Sequence, residues 1–136
     1  YQAAIDDFNL KTTKQYIIQG DYGYESGYQA ALSLVSYKNP PTAIVCSNDT
    51  MAFGAMKAIR EYGLNVPEDI SVIGFDNIEL CSQVYPSLTT IAAPIKEITD
   101  KAIESLMFCL QGEDLDLQDI EVPTRLVIRK SCSPQK

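Results

Sequence analysis

Ala43-Ile44-Val45-Cys46-Ser47-Asn48-Asp49-Thr50-Met51-Ala52 runs from continuous apolar residues, through a cluster of capping residues, into an amphipathic pattern. The apolar run does not alternate, which predicts a strand buried on both faces. Ser47-Asn48-Asp49-Thr50 offers side-chain oxygens to the first free N–H groups of a helix. Ala52, Ala55, Met56 and Ile59 fall on the inward face of that helix, and Gly63 stops it at the usual left-handed position. Strand, cap and helix make half of a parallel-sheet unit, and the pattern repeats on both sides. Upstream, Tyr16–Gln19 reads as a short strand, and a helix carrying Tyr28, Ala31, Leu32 and Val35 ends at Lys38-Asn39-Pro40-Pro41. Downstream, Ile70–Phe75 is a third strand, Asn77–Pro86 is irregular and Leu88–Ile91 is extended. Pro94 opens a long helix with Ile98, Ala102, Leu106 and Leu110 on one stripe, ending at Gly112. Residues 113–119 form an acidic loop, and Arg125–Arg129 is a closing strand. This order predicts an α/β fold, an open parallel sheet with helices on both faces.

Composition sets the chemical limits. The chain has 136 residues, 46% of them hydrophobic and 21% charged, which suits one globular core. It contains no histidine, and that excludes imidazole acid–base catalysis and the common histidine metal sites. A formal charge of −7 makes the chain itself a poor grip for nucleic acid, because duplex binding rests on neutralising phosphates. Cys46, Cys81, Cys109 and Cys132 are widely spaced, so neither a metal site nor a disulfide scaffold is expected. The first residues lack the basic and apolar regions of a signal peptide, and no apolar run approaches a membrane span. The expectation is a cytoplasmic protein without cofactor or metal. Tyr1, Ala4, Ile5 and Phe8 share a helical face with no start signal before them, as in the later part of a longer protein.

Three strand ends carry polar residues, at Asp21-Tyr22, Asn48-Asp49 and Asp76-Asn77. Asp49 stands 28 positions after Asp21, and Asp76 stands 27 after Asp49, about one strand-plus-helix unit each. The carboxyl ends of parallel strands share one rim, where open α/β sheets bind ligands. Carboxylates, amides and the Tyr22 ring suit a polyhydroxylated ligand: hydroxyls need donors and acceptors, and a sugar or base face stacks on an aromatic. The competing reading is capping. Asp49 fits it best, directly before the Met51-Ala52 helix, and Asp76 fits it least. No serine has a base near it in sequence and no carboxylate pair stands out as an acid–base dyad, so no catalytic residue is assigned. Phe53 lies off the inward stripe of its helix and marks a possible association surface.

Pro41-Thr42-Ala43-Ile44 with Asn48-Asp49-Thr50-Met51-Ala52-Phe53-Gly54-Ala55 resembles a block of the lactose/galactose-repressor family. So do Val66-Pro67-Glu68-Asp69-Ile70-Ser71-Val72-Ile73-Gly74-Phe75-Asp76, the Pro86-Ser87-Leu88-Thr89-Thr90-Ile91 segment and the closing Leu126–Ser131 strand. The resemblance implies a DNA-binding repressor whose effector domain is a two-lobed, periplasmic-binding-protein-like fold, this chain being mostly the C-terminal lobe. It implies that Asp76 and Asn48 hydrogen-bond a sugar or purine effector, that Tyr22 stacks on it, and that the family dimerises near Phe53 and Val84. DNA contact would come through a helix-turn-helix outside this chain. Residues 1–91 would be lobe, 92–118 a crossover helix for the other lobe, and 119–136 the returning strand. The alternative is the periplasmic sugar-binding protein of a transporter, and an enzyme is not expected.

Overall fold

The computed structural model describes residues 2–9, 14–111 and 120–134. Helix α1 (Gln2–Asp7) is followed by a 3-10 turn at Lys14–Tyr16, then α2 (Tyr24–Val35), β1 (Ala43–Val45), α3 (Asp49–Glu61) and β2 (Ser71–Asp76). A second 3-10 turn (Glu79–Ser82) leads to β3 (Thr89–Ala92), α4 (Ile95–Leu110) and β4 (Arg125–Val127). The strands form one sheet in the order β1-β2-β3-β4. The β1–β2 and β2–β3 pairs are parallel, and β4 returns antiparallel to β3. The predicted open α/β sheet is therefore present, mostly parallel, with its last strand reversed. The predicted end of the long helix at Gly112 and the acidic loop at 113–119 lie outside the described residues.

Side-chain alternation fixes which face is covered. Ile44, Val72, Gly74 and Thr90 are register neighbours on the face beneath α3, and all are buried. Ala52, Ala55, Met56, Ala58 and Ile59 of α3 complete this core with Ala31, Leu34 and Val35 of α2. The two helices meet closely because each is notched by glycine. A Cβ at Gly27 would lie 2.6 Å from Met51 Cα, and one at Gly54 would strike the Tyr24 carbonyl oxygen. The closing segment is stitched between β2 and β3: Ser131 Oγ donates to Val72 O at 2.6 Å and accepts from Thr89 N at 2.8 Å.

Two local expectations fail. Tyr16–Gln19 forms no strand. Tyr16 stacks on Tyr37 with centroids 5.9 Å apart, and their hydroxyls donate to Asn39 O and Gln15 O. Those side-chain ties hold the segment by its tyrosines rather than by a backbone ladder, and Ile17 stays exposed. Nor is β1 buried on both faces. It is an edge strand, and Val45 is 63% exposed opposite the helical face. Helix α4 is amphipathic in sequence yet buries no residue, with Ile98, Leu106 and Leu110 all exposed. Among the described residues, no helix is long and apolar enough to cross a membrane.

The glycine notch between α2 and α3 gives a direct test. Gly54→Ala forces the helices apart and lowers stability by about 1–3 kcal/mol, read as a lower urea midpoint of the intact protein. An unchanged midpoint would show that the contact at Tyr24 is not this close.

Candidate functional site

The carboxyl edge of the sheet gathers the loops after β1 and β2 and the turn before α2. In the first of these loops the expected roles of two neighbours are exchanged. Asn48 is the cap of α3: its Oδ1 accepts the Met51 N–H at 2.8 Å. Its Nδ2 donates to the Tyr22 carbonyl at 2.9 Å and so ties the first rim loop to the second. Asp49, expected to be the pure cap, is instead 1% exposed. Its Oδ2 accepts the Ile78 N–H at 2.9 Å, and its Oδ1 accepts the Thr90 hydroxyl. The physical reason lies in direction. Asn48 is in extended geometry, so its side chain turns back over the first helical N–H groups. Asp49 already has helical geometry and points across the sheet.

Gly74 makes room for that carboxylate. A Cβ there would collide with Asp49 Oδ1 and sit 3.1 Å from Leu88 Cδ2. The buried charge shapes its neighbours. Burial, followed by the nearby Asp49 charge, pushes the Cys46 thiol up to about 12. Burial and then a hydrogen bond to Asp49 push Cys81 up to about 12 as well. Both thiols therefore stay protonated at neutral pH and serve as core atoms, not nucleophiles.

Asp76 closes β2 at φ 105°, and Asn77 follows at φ 60°. Tyr22 has φ 66°. Three non-glycine residues in left-handed geometry at one sheet edge is a concentration of backbone strain, the kind that persists where the surroundings hold a site in shape. Asp76 is half-buried, and its carboxyl is pushed above the usual range, first by burial and then by the Asp49 charge. Tyr22 is 68% exposed. In the same loop, the Ser26 hydroxyl and the Gly23 N–H hold Asp21 below its usual value. Sequence reasoning missed Arg129, whose guanidinium donates to Asn77 Oδ1 and Leu88 O, both at 2.7 Å. In the sequence Arg129 marks only the end of the closing strand.

Phe53 and Val84 pack partly against the core, so Phe53 is less exposed than its off-stripe position predicts. Beside Val84, Tyr85 is 83% exposed, and Arg60 Nη2 donates to its carbonyl at 2.6 Å. A cavity of about 640 Å³ lies on this side, lined by Met56, Arg60, Val66, Tyr85 and Lys130 among others, and takes in none of the rim residues Tyr22, Asn48 and Asp76. Among the described residues, no group of three or more acidic or cysteine side chains could hold a metal ion.

The sequence profile of the periplasmic binding protein-like domain matches residues 1–132. The chain belongs to that family. It is 41% identical over 130 residues to the HTH-type transcriptional repressor PurR of Yersinia pestis, covering 96% of this chain and 38% of the relative. A sugar-binding transcriptional regulator of the LacI family from Escherichia coli, solved in complex with phosphate, superposes with a TM-score of 0.87 at 33% identity, covering 98% of this chain and 48% of that one. The lac repressor dimer bound to operator superposes with a TM-score of 0.77 at 37% identity, covering 83% of this chain and 39% of that one. This chain of the periplasmic binding protein-like family thus spans less than half the length of these relatives and corresponds to part of their effector-binding domain. All three are transcriptional regulators rather than enzymes or transporter components, and the lactose/galactose-repressor resemblance is confirmed.

The buried carboxylate provides the site's test. Asp49→Asn replaces one acceptor by a donor and removes the charge beside Asp76. The protein should lose about 1–3 kcal/mol of stability, and the Asp76 carboxyl should titrate nearer its ordinary value in ¹³C NMR. A raised folded value means that Asp76 favours the fold below the unfolded value of 3.8 and loses this contribution as pH rises through the folded value. The variant should narrow that window; an unmoved Asp76 midpoint would refute the coupling.

Proposed function

We propose that this chain is the effector-sensing and dimerising portion of a bacterial DNA-binding repressor, taking a small sugar-like or purine-like ligand at the carboxyl edge of its sheet. The observation that carries this reading is the strained rim, with Tyr22, Asp76 and Asn77 all left-handed beside the Asn48–Tyr22 tie. Strain of this kind fixes polar groups before a ligand arrives, so binding need not order them. Asp76 serves as acceptor for ligand hydroxyl or N–H groups, and the exposed Tyr22 ring offers a stacking face. Asn48 has one N–H committed to Tyr22 and one lone pair to Met51, leaving one donor and one acceptor for a ligand. No step in this role requires a cofactor or a covalent change, and the chain acts as a sensor without catalysis.

The rest of the proposal concerns the whole protein. DNA contact belongs to a helix-turn-helix outside this chain, which fits a segment with a charge of −7. Such a regulator works in the cytoplasm, where its operator lies. Residues 1–91 act as lobe, with α4 packing on the other lobe through its exposed Ile98, Leu106 and Leu110 stripe, and residues 119–136 bring the chain back. Phe53 and Val84, with Tyr85 beside them, form the homodimer face.

Two measurements test these roles in the full-length protein. Asp76→Ala should weaken binding of the responding sugar or purine at least tenfold in calorimetry, a loss of about 1.4 kcal/mol or more, while operator affinity is retained. Retained ligand affinity would refute the assignment of Asp76. Phe53→Asp places a charge at the dimer face and should shift the protein toward monomer in sedimentation. An unchanged dimer mass at micromolar concentration would remove Phe53 from the interface.

A further inference from the structure

Arg129 reaches from just beyond β4 to the strained turn at the end of β2. Its Nη2 donates to Asn77 Oδ1 and its Nη1 to Leu88 O, each at 2.7 Å, while its backbone N–H donates to Thr89 Oγ1 at 2.9 Å. The guanidinium is a planar fork, so engaging two acceptors fixes its orientation and, through it, theirs. Asn77 sits at φ 60° directly after Asp76 at φ 105°. Neither is glycine, so without an external tie this turn relaxes toward negative φ and carries the Asp76 side chain with it. The following residue is tied as well, since Ile78 N–H donates to Asp49 Oδ2. The turn is thus gripped at Asn77 from the closing segment and at Ile78 from the start of α3. Asp76 itself has no side-chain hydrogen bond among the described residues.

We propose that Arg129 is a positioning residue for the ligand-facing carboxylate of Asp76, acting through the Asn77 side chain. The proposal rests on the reading of Asp76 as a ligand group, but its geometry can be tested without any ligand. A plain anchoring role, in which Arg129 only fastens the closing segment to Leu88, is the alternative. Glycine separates the two. Gly at position 77 accepts a positive φ at no steric cost, so it relieves the strain that Arg129 offsets at the turn and does nothing for Leu88.

The experiment uses the full-length protein with ¹³C-labelled aspartate and compares wild type, Arg129→Met and the double variant Arg129→Met/Asn77→Gly. In Arg129→Met, amide exchange across Asp76–Leu80 should rise about tenfold. The Asp76 carboxyl midpoint should fall toward the ordinary carboxylate value, because the relaxed turn exposes it. Loss of a nearby cation alone would move that midpoint upward, so the sign identifies the cause. Adding Asn77→Gly should restore the midpoint. An Asp76 midpoint that stays put or rises in Arg129→Met, or one that glycine does not restore, overturns the proposal. If Arg129→Met does not fold, Arg129→Lys keeps the charge with a single donor arm and should show the same changes at smaller size; no change there overturns it equally. Failure here leaves the Asp76→Ala ligand measurement untouched, so the two readings fail separately.

Discussion

The buried carboxylate of Asp49 is the constraint on which this fold depends. A charge taken out of water is costly unless its lone pairs are met by donors. Here the donors come from separate pieces of chain: the Ile78 amide after β2 and the Thr90 hydroxyl on β3. Asp49 itself begins α3, so one side chain fixes the start of that helix against two strands. Gly74 is part of the same arrangement, because any side chain there would displace the carboxylate. The spacing of α3 from the sheet is thereby set at the edge where the polar loops emerge.

That setting governs the chemistry of the rim. The fixed Asp49 charge lies close enough to Asp76 to help raise its carboxyl, and to keep Cys46 and Cys81 protonated. The rim presents carboxylate acceptors, amide donors and the exposed Tyr22 ring. Its geometry is held by short side-chain ties rather than by regular structure: Asn48 to Tyr22, Arg129 to Asn77, Asp49 to Ile78.

Much of this was legible in the residues, because periodicity and capping are local signals. The apolar stripe of α3, the strand at Ile70–Phe75 and the amphipathic helix after Pro94 all appear near their expected places. The polar ends of β1 and β2 also stand out, since a parallel sheet puts such residues on one side, whereas Asp21-Tyr22 reaches the same edge from the turn before α2 and not from a strand. What could not be read depends on contacts distant in sequence. The Tyr16–Tyr37 stack draws an apparent strand into a turn. The continuous apolar run of β1 looks doubly buried, yet it lies at a sheet edge with Val45 uncovered. Asn48 and Asp49 are adjacent and both able to cap; only the direction each takes, toward the helix or across the sheet, assigns their roles. Arg129 is 52 positions from the amide it holds, and no local pattern reports that bond.

The path of the chain gives these ties a further meaning. Thr90 lies on β3 just before the chain leaves through α4, and Arg129 lies just after it returns through β4. Both then reach back to the rim, Thr90 through Asp49 and Arg129 through Asn77. On the proposed reading, α4 belongs to the other lobe, so these two residues bracket the connection between lobes. On that reading, a shift of one lobe against the other would act on β3 and β4, next to the groups that hold the Asp76–Asn77 turn. Conversely, a ligand that tightened the turn would stiffen the same strands. On that reading, reciprocity between ligand affinity and lobe arrangement would need no separate relay, because the groups that hold the proposed site are anchored at the crossing.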